Sequence, residues 1–345
     1  MRAVAMTGVR RMGLIDAPEP EPLPGDLKLR VRYCGVCGTD LHEYEHGAGA
    51  RLSGDLSPIM GHECTGEVVA LGPGVGGFEV GESVVVNPGG QPCGRCEFCR
   101  AGQEERCTRT MGVGYHRSGA YAEYMCTRAN RAIKLGAEAP LDEAAMSEPF
   151  AVARHGISQG DLQPSESVLI TGAGPIGALS IIAARQAQAD RIIASEPAPR
   201  RRELARTLGA EVLDPAEGPV ADRVGELTGG AGVDVAVECA GLAPAMDDCL
   251  GSVRRGGRVV VVSVFGEPYP INLLSLMVTE RQVIGSYGTG GSDRLAEAAA
   301  LIASRKVDLG PLISVRISLA EVPATFAVMA ADRSLHNKVL ICPDL

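Results

Sequence analysis

The first regular pattern along the chain has a period of two. Residues 27–33, LKLRVRY, alternate apolar with polar side chains, as a strand with one buried face requires, and lead into a Gly-rich turn around Cys37. From Glu67 to Val86, short valine-rich runs are interrupted by Leu71-Gly72-Pro73-Gly74 and by Gly76-Gly77. Small strands joined by tight turns predict a barrel-like β domain. From about Ser167 the pattern changes to continuous apolar runs, SVLIT, RIIAS, VDVAVE and GRVVVVSV, with helical stretches through Ala187 and from Arg200 to Leu208 between them. Unbroken apolar strands alternating with helices predict a parallel sheet covered by helices. After Gly291 the pattern predicts an Ala-rich helix from Asp293 to about Ser304, a second helical stretch from Leu319 to Ala331, and a last strand at KVLI.

A chain of 345 residues, 45% of them hydrophobic, has material for two domains. Its formal net charge of -9 repels phosphate backbones and anionic lipid surfaces, so neither nucleic acid nor a membrane is an expected partner. The N-terminal stretch MRAVAMTGVRRMGLIDAPEP lacks a continuous apolar segment, and no apolar run approaches the ~20 residues of a spanning helix, so a cytoplasmic location is expected. In that compartment thiols stay reduced, and eleven cysteines point to metal binding or catalysis rather than disulfides.

Four of them follow the spacing Cys93-x2-Cys96-x2-Cys99-x7-Cys107. One loop carrying four soft thiolates can wrap a tetrahedral ion and fill every position, which leaves no room for a substrate. Free surface thiols and an iron–sulfur cluster are the alternatives, and zinc acting as a structural staple is the reading adopted. A looser set combines Cys37 in GVCGTD, His62 and Glu63 in GHE, and Glu148 in SEPF. An incomplete protein shell of this kind suits a catalytic zinc, although each residue alone also fits a buried thiol, a core histidine or a paired carboxylate.

The segment Gly172-Ala173-Gly174-Pro175-Ile176-Gly177 follows SVLIT directly and opens a helix. Small residues there allow a tight turn and let a pyrophosphate approach the helix N-terminus. Glu196 ends the next strand, where a carboxylate bonds ribose hydroxyls and repels a 2′-phosphate, favouring NAD over NADP. Arg200, Arg201 and Arg202 stand as the competing phosphate-binding candidates, or as a solvated helix start. Cys239, Ala240 and the stretch Val262 to Val264 end later strands on the carboxyl edge, where a nicotinamide is expected.

GVCGTDLHEY, PIMGHECTGEVVALGPGV, the four-cysteine lobe, SGAYAEY, SEPFAVARHG and TGAGPIG occur in one order along essentially the whole chain. Together they resemble the zinc-dependent medium-chain alcohol and polyol dehydrogenases, most closely in pattern the butanediol, sorbitol and threonine enzymes. The resemblance implies a GroES-like β-barrel catalytic domain over 1–150 and 292–345, with its zinc lobe at about 88–110. It implies a Rossmann NAD-binding domain over 151–291. Cys37 and His62 become ligands of a catalytic zinc, with Glu63 and Glu148 as direct, alternating or water-mediated ligands. Thr39 and His42 resemble the family's proton relay, in which a hydroxyl passes the alcohol's proton through the cofactor ribose to a histidine. Arg201 matches a position beside adenine. His46, His116, His155 and His336 lack such context and read as bystanders. Arg154 stands where butanediol dehydrogenases commonly carry an aromatic residue, which separates this chain from them.

The expected function is zinc-dependent, NAD-linked oxidation of a secondary alcohol, a vicinal diol or polyol, to the ketone, with two zinc ions per subunit in a homodimer or homotetramer. An amino-alcohol or aminocyclitol dehydrogenase is the alternative enzyme, and a non-catalytic NAD-binding zinc protein the alternative outside enzymes.

Overall fold

The computed structural model describes residues 1–47, 59–90, 92–103, 106, 107, 109 and 111–345. The chain divides into two compact units, Met1–Glu148 with Gly291–Leu345, and Pro149–Gly290.

In the first unit, β1 (Arg2–Gly8) and β2 (Arg11–Asp16) form a hairpin, and β3 (Asp26–Gly35) is the hub of a larger sheet. This hub pairs antiparallel with β4 (Glu63–Leu71) and β6 (Tyr124–Arg128), while β4 continues through β5 (Ser83–Val86) to β7 (Ala132–Lys134). The alternation read in β3 holds at Leu27, Leu29 and Val31, which are buried. Lys28, on the polar register, is also buried. Its ammonium pairs with Glu19 at 2.7 Å and lies 5.7 Å from the centre of the Tyr124 ring, so a charged head is covered by acids and an aromatic face. Val4, Leu27, Val68, Val84, Tyr121, Phe326 and Val339 belong to the core of this unit.

The second unit contains the expected parallel sheet. In chain order its strands are β8 (Ser167–Thr171), β9 (Arg191–Ser195), β10 (Glu211–Leu213), β11 (Val233–Glu238), β12 (Val253–Val261) and β13 (Gln282–Gly285). Their spatial order is β10-β9-β8-β11-β12-β13, all parallel. The order reverses between β8 and β11, which is where an open α/β sheet forms its ligand crevice. β12 begins at Val253, four residues before the expected glycine start, and ends at Val261, so Val262 and Val264 lie just beyond it.

The C-terminal segment returns to the first unit. The helix Ser292–Ala303 precedes β14 (Ile313–Ile317), and a short 3-10 turn at Leu319–Glu321 precedes the helix Val322–Ala331. The last strand, β15 (Lys338–Ile341), then pairs with β14 in parallel and with the end of β3 in antiparallel register, Leu340 opposite Gly35. Phe326 fastens this return. It is fully buried and meets Tyr44 and Tyr121 edge-on, with ring centroids at 5.6 and 6.0 Å. Phe326→Ala removes both ring contacts and leaves a cavity, so a loss of about 3–5 kcal/mol of stability is expected, read as a lower denaturant midpoint for the first unit.

Candidate metal sites and dinucleotide site

The sulfurs of Cys93, Cys96, Cys99 and Cys107 all lie within 4.8 Å of one another. Zinc–sulfur bonds of ~2.3 Å place tetrahedral sulfurs roughly 3.8 Å apart, and the separations here are 3.4 Å for Cys96–Cys99 and 4.0 Å for Cys93–Cys99. Backbone N–H groups also point at the sulfurs: Cys93 N donates to Cys107 Sγ at 3.4 Å, and Cys96 N to Cys93 Sγ at 3.3 Å. Backbone donors, led by that of Arg95, draw the Cys93 thiol down to about 6. Burial and the Cys96 thiol push Cys99 up to about 12. Clustered thiols that cannot all ionise together are what a bound dication would reconcile. Within the lobe, residues 91, 104, 105, 108 and 110 lie outside the described residues.

The second set is built at the mouth of the β3 hub. Cys37 is the N-cap of the helix Gly38–His46, and His62 and Glu63 stand at the head of β4, Glu63 opposite Gly35 in the ladder. Ligand atoms of Cys37, His62 and Glu63 lie within 4.8 Å of one another. Glu148, half-buried at the start of the helix Ser147–Gln159, falls outside that cluster. Burial pushes its carboxyl up to about 7, helped by the charge of Glu63 and opposed by His62.

Three residues absent from the sequence-based assignment complete this site. Lys338, buried at the first position of β15, donates to Glu63 Oε2 at 2.5 Å and to the Val36 carbonyl at 3.1 Å. Burial opposes its charge, but Glu63 and Cys37 prevail and raise its pKa. Asp40 is wholly buried; it accepts from the Tyr121 hydroxyl at 2.7 Å and from the Cys37 backbone N–H at 3.1 Å, and lies 3.6 Å from His62 Nδ1. Tyr115 places its hydroxyl 3.0 Å from His62 Nε2. The sequence offered faint signals for these: a lone cation heading an apolar strand, the Asp of GVCGTD, and a tyrosine between two motifs.

Two observations fit a metal here. The set supplies one sulfur, one imidazole and carboxylate oxygen, a donor set that zinc accepts while keeping a position open. The buried Thr39 Oγ1 also lacks a hydrogen-bond partner among the described residues. Thr39 is in the first turn of the helix Gly38–His46, and His42 is half-buried one turn further along.

In the second unit, the Gly172 turn follows β8 and leads into the helix Pro175–Gln186, with Gly174 as N-cap, Pro175 at its first position and Ile176 following. Gly172 has φ +84°, and a Cβ on Gly177 would stand 1.8 Å from the Gly172 carbonyl oxygen, so only glycine closes this turn. Glu196, buried after β9, accepts from Ala173 N at 2.7 Å and from Ala198 N at 2.8 Å. The carboxylate thereby ties the glycine turn to the adjoining strand end. The Arg201 guanidinium reaches over this turn, 3.4 Å from where a Gly174 Cβ would be. Arg202 turns away, paired with Asp214 at 2.8 Å. Ala240, next to Cys239 past the end of β11, packs against Gly172; Val262 packs on Gly156, and Val264 is exposed.

Residues 23–137 match the alcohol dehydrogenase GroES-like domain, and residues 175–304 match the zinc-binding dehydrogenase domain. The chain is 34% identical to 2-dehydro-3-deoxy-L-galactonate 5-dehydrogenase of Pseudoalteromonas atlantica, covering 99% of both chains. It is 37% identical to L-threonine 3-dehydrogenase of Pyrococcus horikoshii over 87% of this chain and 86% of that one. Among solved structures, 2R,3R-butanediol dehydrogenase of Bacillus subtilis superposes with a TM-score of 0.87 at 29% identity, covering 99% of each chain. A Sinorhizobium meliloti protein assigned to the zinc-binding dehydrogenases, solved bound to NADP, gives 0.91 at 32% identity and the same coverage. This chain belongs to the zinc-dependent medium-chain alcohol and polyol dehydrogenases. It is an oxidoreductase, with a GroES-like unit and a Rossmann unit.

Lys338→Met leaves the Glu63 carboxylate buried without its cation, a cost of about 3–5 kcal/mol to the metal-free protein. A zinc ion beside Glu63 offsets part of that cost. Calorimetry is therefore expected to show a wider melting gap between metal-free and zinc-loaded protein in this variant than in the wild type. Separately, Cys96→Ser is expected to lower zinc, counted by elemental analysis, by one ion per chain.

Proposed function

We propose that the chain catalyses NAD-linked oxidation of the secondary hydroxyl of a small vicinal diol or polyol to a ketone, and the reverse reduction. The observation that carries this reading is the convergence of Cys37, His62 and Glu63 ligand atoms within 4.8 Å, with the buried hydroxyl of Thr39 two residues beyond Cys37. Zinc, when bound, acidifies an alcohol hydroxyl, and nicotinamide accepts a hydride.

The protein's own residues do the rest. Cys37, His62 and Glu63 hold the metal, with Glu148 as a further carboxylate, and Asp40 orients His62 from behind. Lys338 offsets the charge of Glu63, so that the anionic ligand set does not cancel the metal's pull on an alcohol oxygen. Thr39 receives the hydroxyl proton and His42 carries it away from the site. Cys93, Cys96, Cys99 and Cys107 hold a second, structural zinc, giving two per subunit.

In the second unit, the turn from Gly172 to Gly177 and the helix N-terminus cradle a pyrophosphate, Arg201 covers the adenine side, and Cys239, Ala240, Val262 and Val264 border the nicotinamide. The Glu196 carboxylate, fixed beside the turn, disfavours a 2′-phosphate and supports NAD over NADP.

A cytoplasmic homodimer or homotetramer completes the reading. Among the described residues no helix is long and apolar enough to cross a membrane. Exposed Leu273, Leu274 and Met277 on the helix Leu273–Thr279, with β13 at the end of its sheet, support subunit pairing. The similarity to L-threonine 3-dehydrogenases favours an amino alcohol as the second reading of substrate.

Cys37→Ala is expected to reduce NAD reduction across a diol and polyol panel about 1,000-fold, as loss of several kcal/mol of Lewis-acid assistance requires. Zinc should fall from two ions to one per chain while the four-cysteine lobe stays loaded. Full activity in this variant overturns the mechanism, and turnover of L-threonine alone selects the second reading.

A further inference from the structure

Thr39, His42 and His46 occupy positions i, i+3 and i+7 of the helix Gly38–His46, which puts them on one face. Exposure rises along that face. The Thr39 hydroxyl is buried, His42 is half-buried and His46 is exposed. The two imidazoles are in contact, with ring centroids 4.5 Å apart and planes tilted by 50°. This stripe therefore runs from the N-cap cysteine of the metal cluster to solvent.

We propose that His46 is the outer station of the proton path, exchanging with solvent the proton that His42 carries; this rests on the relay of Thr39 and His42 described under the proposed function. His42 is half-buried, and a second imidazole in contact with it takes its proton directly or across one water. Imidazole is the side chain that both accepts and releases a proton near neutral pH.

In the oxidation direction the alcohol loses a hydride to NAD and a proton to the relay. An N–H bond on His42 then breaks as one forms on His46. His46 releases that proton to water or a buffer base, and both rings end neutral. One proton leaves per hydride transferred, and ketone reduction runs the same steps backward.

The neighbouring charges leave His46 open for this role. Glu45 is engaged by the guanidinium of Arg333, with Arg10 at 3.8 Å. Glu43 is buried, and Asp40 is committed to Tyr121 and the Cys37 backbone.

The test uses the zinc-loaded, full-length enzyme with NAD and a diol that the wild type oxidises. NADH absorbance and a pH-indicator dye are followed together in single turnovers, in dilute and in concentrated phosphate at constant ionic strength. In His46→Gln and His46→Ala, proton release in dilute buffer is expected to lag NADH formation at least fivefold, with KM unchanged, and concentrated phosphate is expected to restore it. Wild-type release should not depend on buffer. Wild-type proton release in both variants at low buffer overturns the proposal, and so does a lag that buffer does not relieve. A wild type that reduces no NAD with any diol, polyol or amino alcohol instead overturns the underlying functional reading.

Discussion

The ion pair between Lys338 and Glu63 ties the site to the fold. A carboxylate and an ammonium, both withdrawn from water, are tolerable only when each supplies the other's counter-charge and the remaining donors find acceptors. Lys338 places two of its three N–H donors on Glu63 and the Val36 carbonyl. Its position is set by β15, which reaches the β3 hub only because the chain returns after the second unit. Gly35 takes part as well, since a Cβ there would stand 2.1 Å from Glu63 Oε2. Gly35, Glu63 and Lys338 thus meet from three separate strands, the glycine leaving the space in which the ion pair forms.

The two candidate metal clusters differ in the way their side chains are held. The four sulfurs of the lobe come from one short loop, and its backbone N–H groups favour thiolate. A site closed in this way stabilises a loop and does no more. Around Cys37 the candidate ligands come from a helix start and a strand head, and the buried Thr39 hydroxyl has no hydrogen-bond partner among the described residues. Unsatisfied polar groups in a buried place mark where a ligand contributes what the protein omits.

Much of this was legible in the sequence because local rules governed it. LKLRVRY, SVLIT, RIIAS and VDVAVE form strands as their patterns require, since each buries one or both faces over a short span. The cysteine lobe was legible for the same reason, all its ligands lying within fifteen consecutive residues. Lys338 was not legible: a lysine heading the run KVLI gives no sign that it will be buried against a carboxylate 275 residues away. Motif context gives no sign that the His46 ring meets that of His42, a contact set by helix geometry. Glu196 was legible as an acid at the end of a strand, but not as an acceptor that ties the glycine turn to its neighbouring strand.

By itself, then, the sequence determined the class of each domain, the closed cysteine site and the glycine turn, because short-range spacing and periodicity encode them. Tertiary structure alone decided how the charge of Glu63 is balanced, how the Thr39 hydroxyl is buried, and which histidines touch. Those properties depend on burial and on contacts between distant segments, since desolvation magnifies every unpaired charge and only the folded chain determines who its partner is.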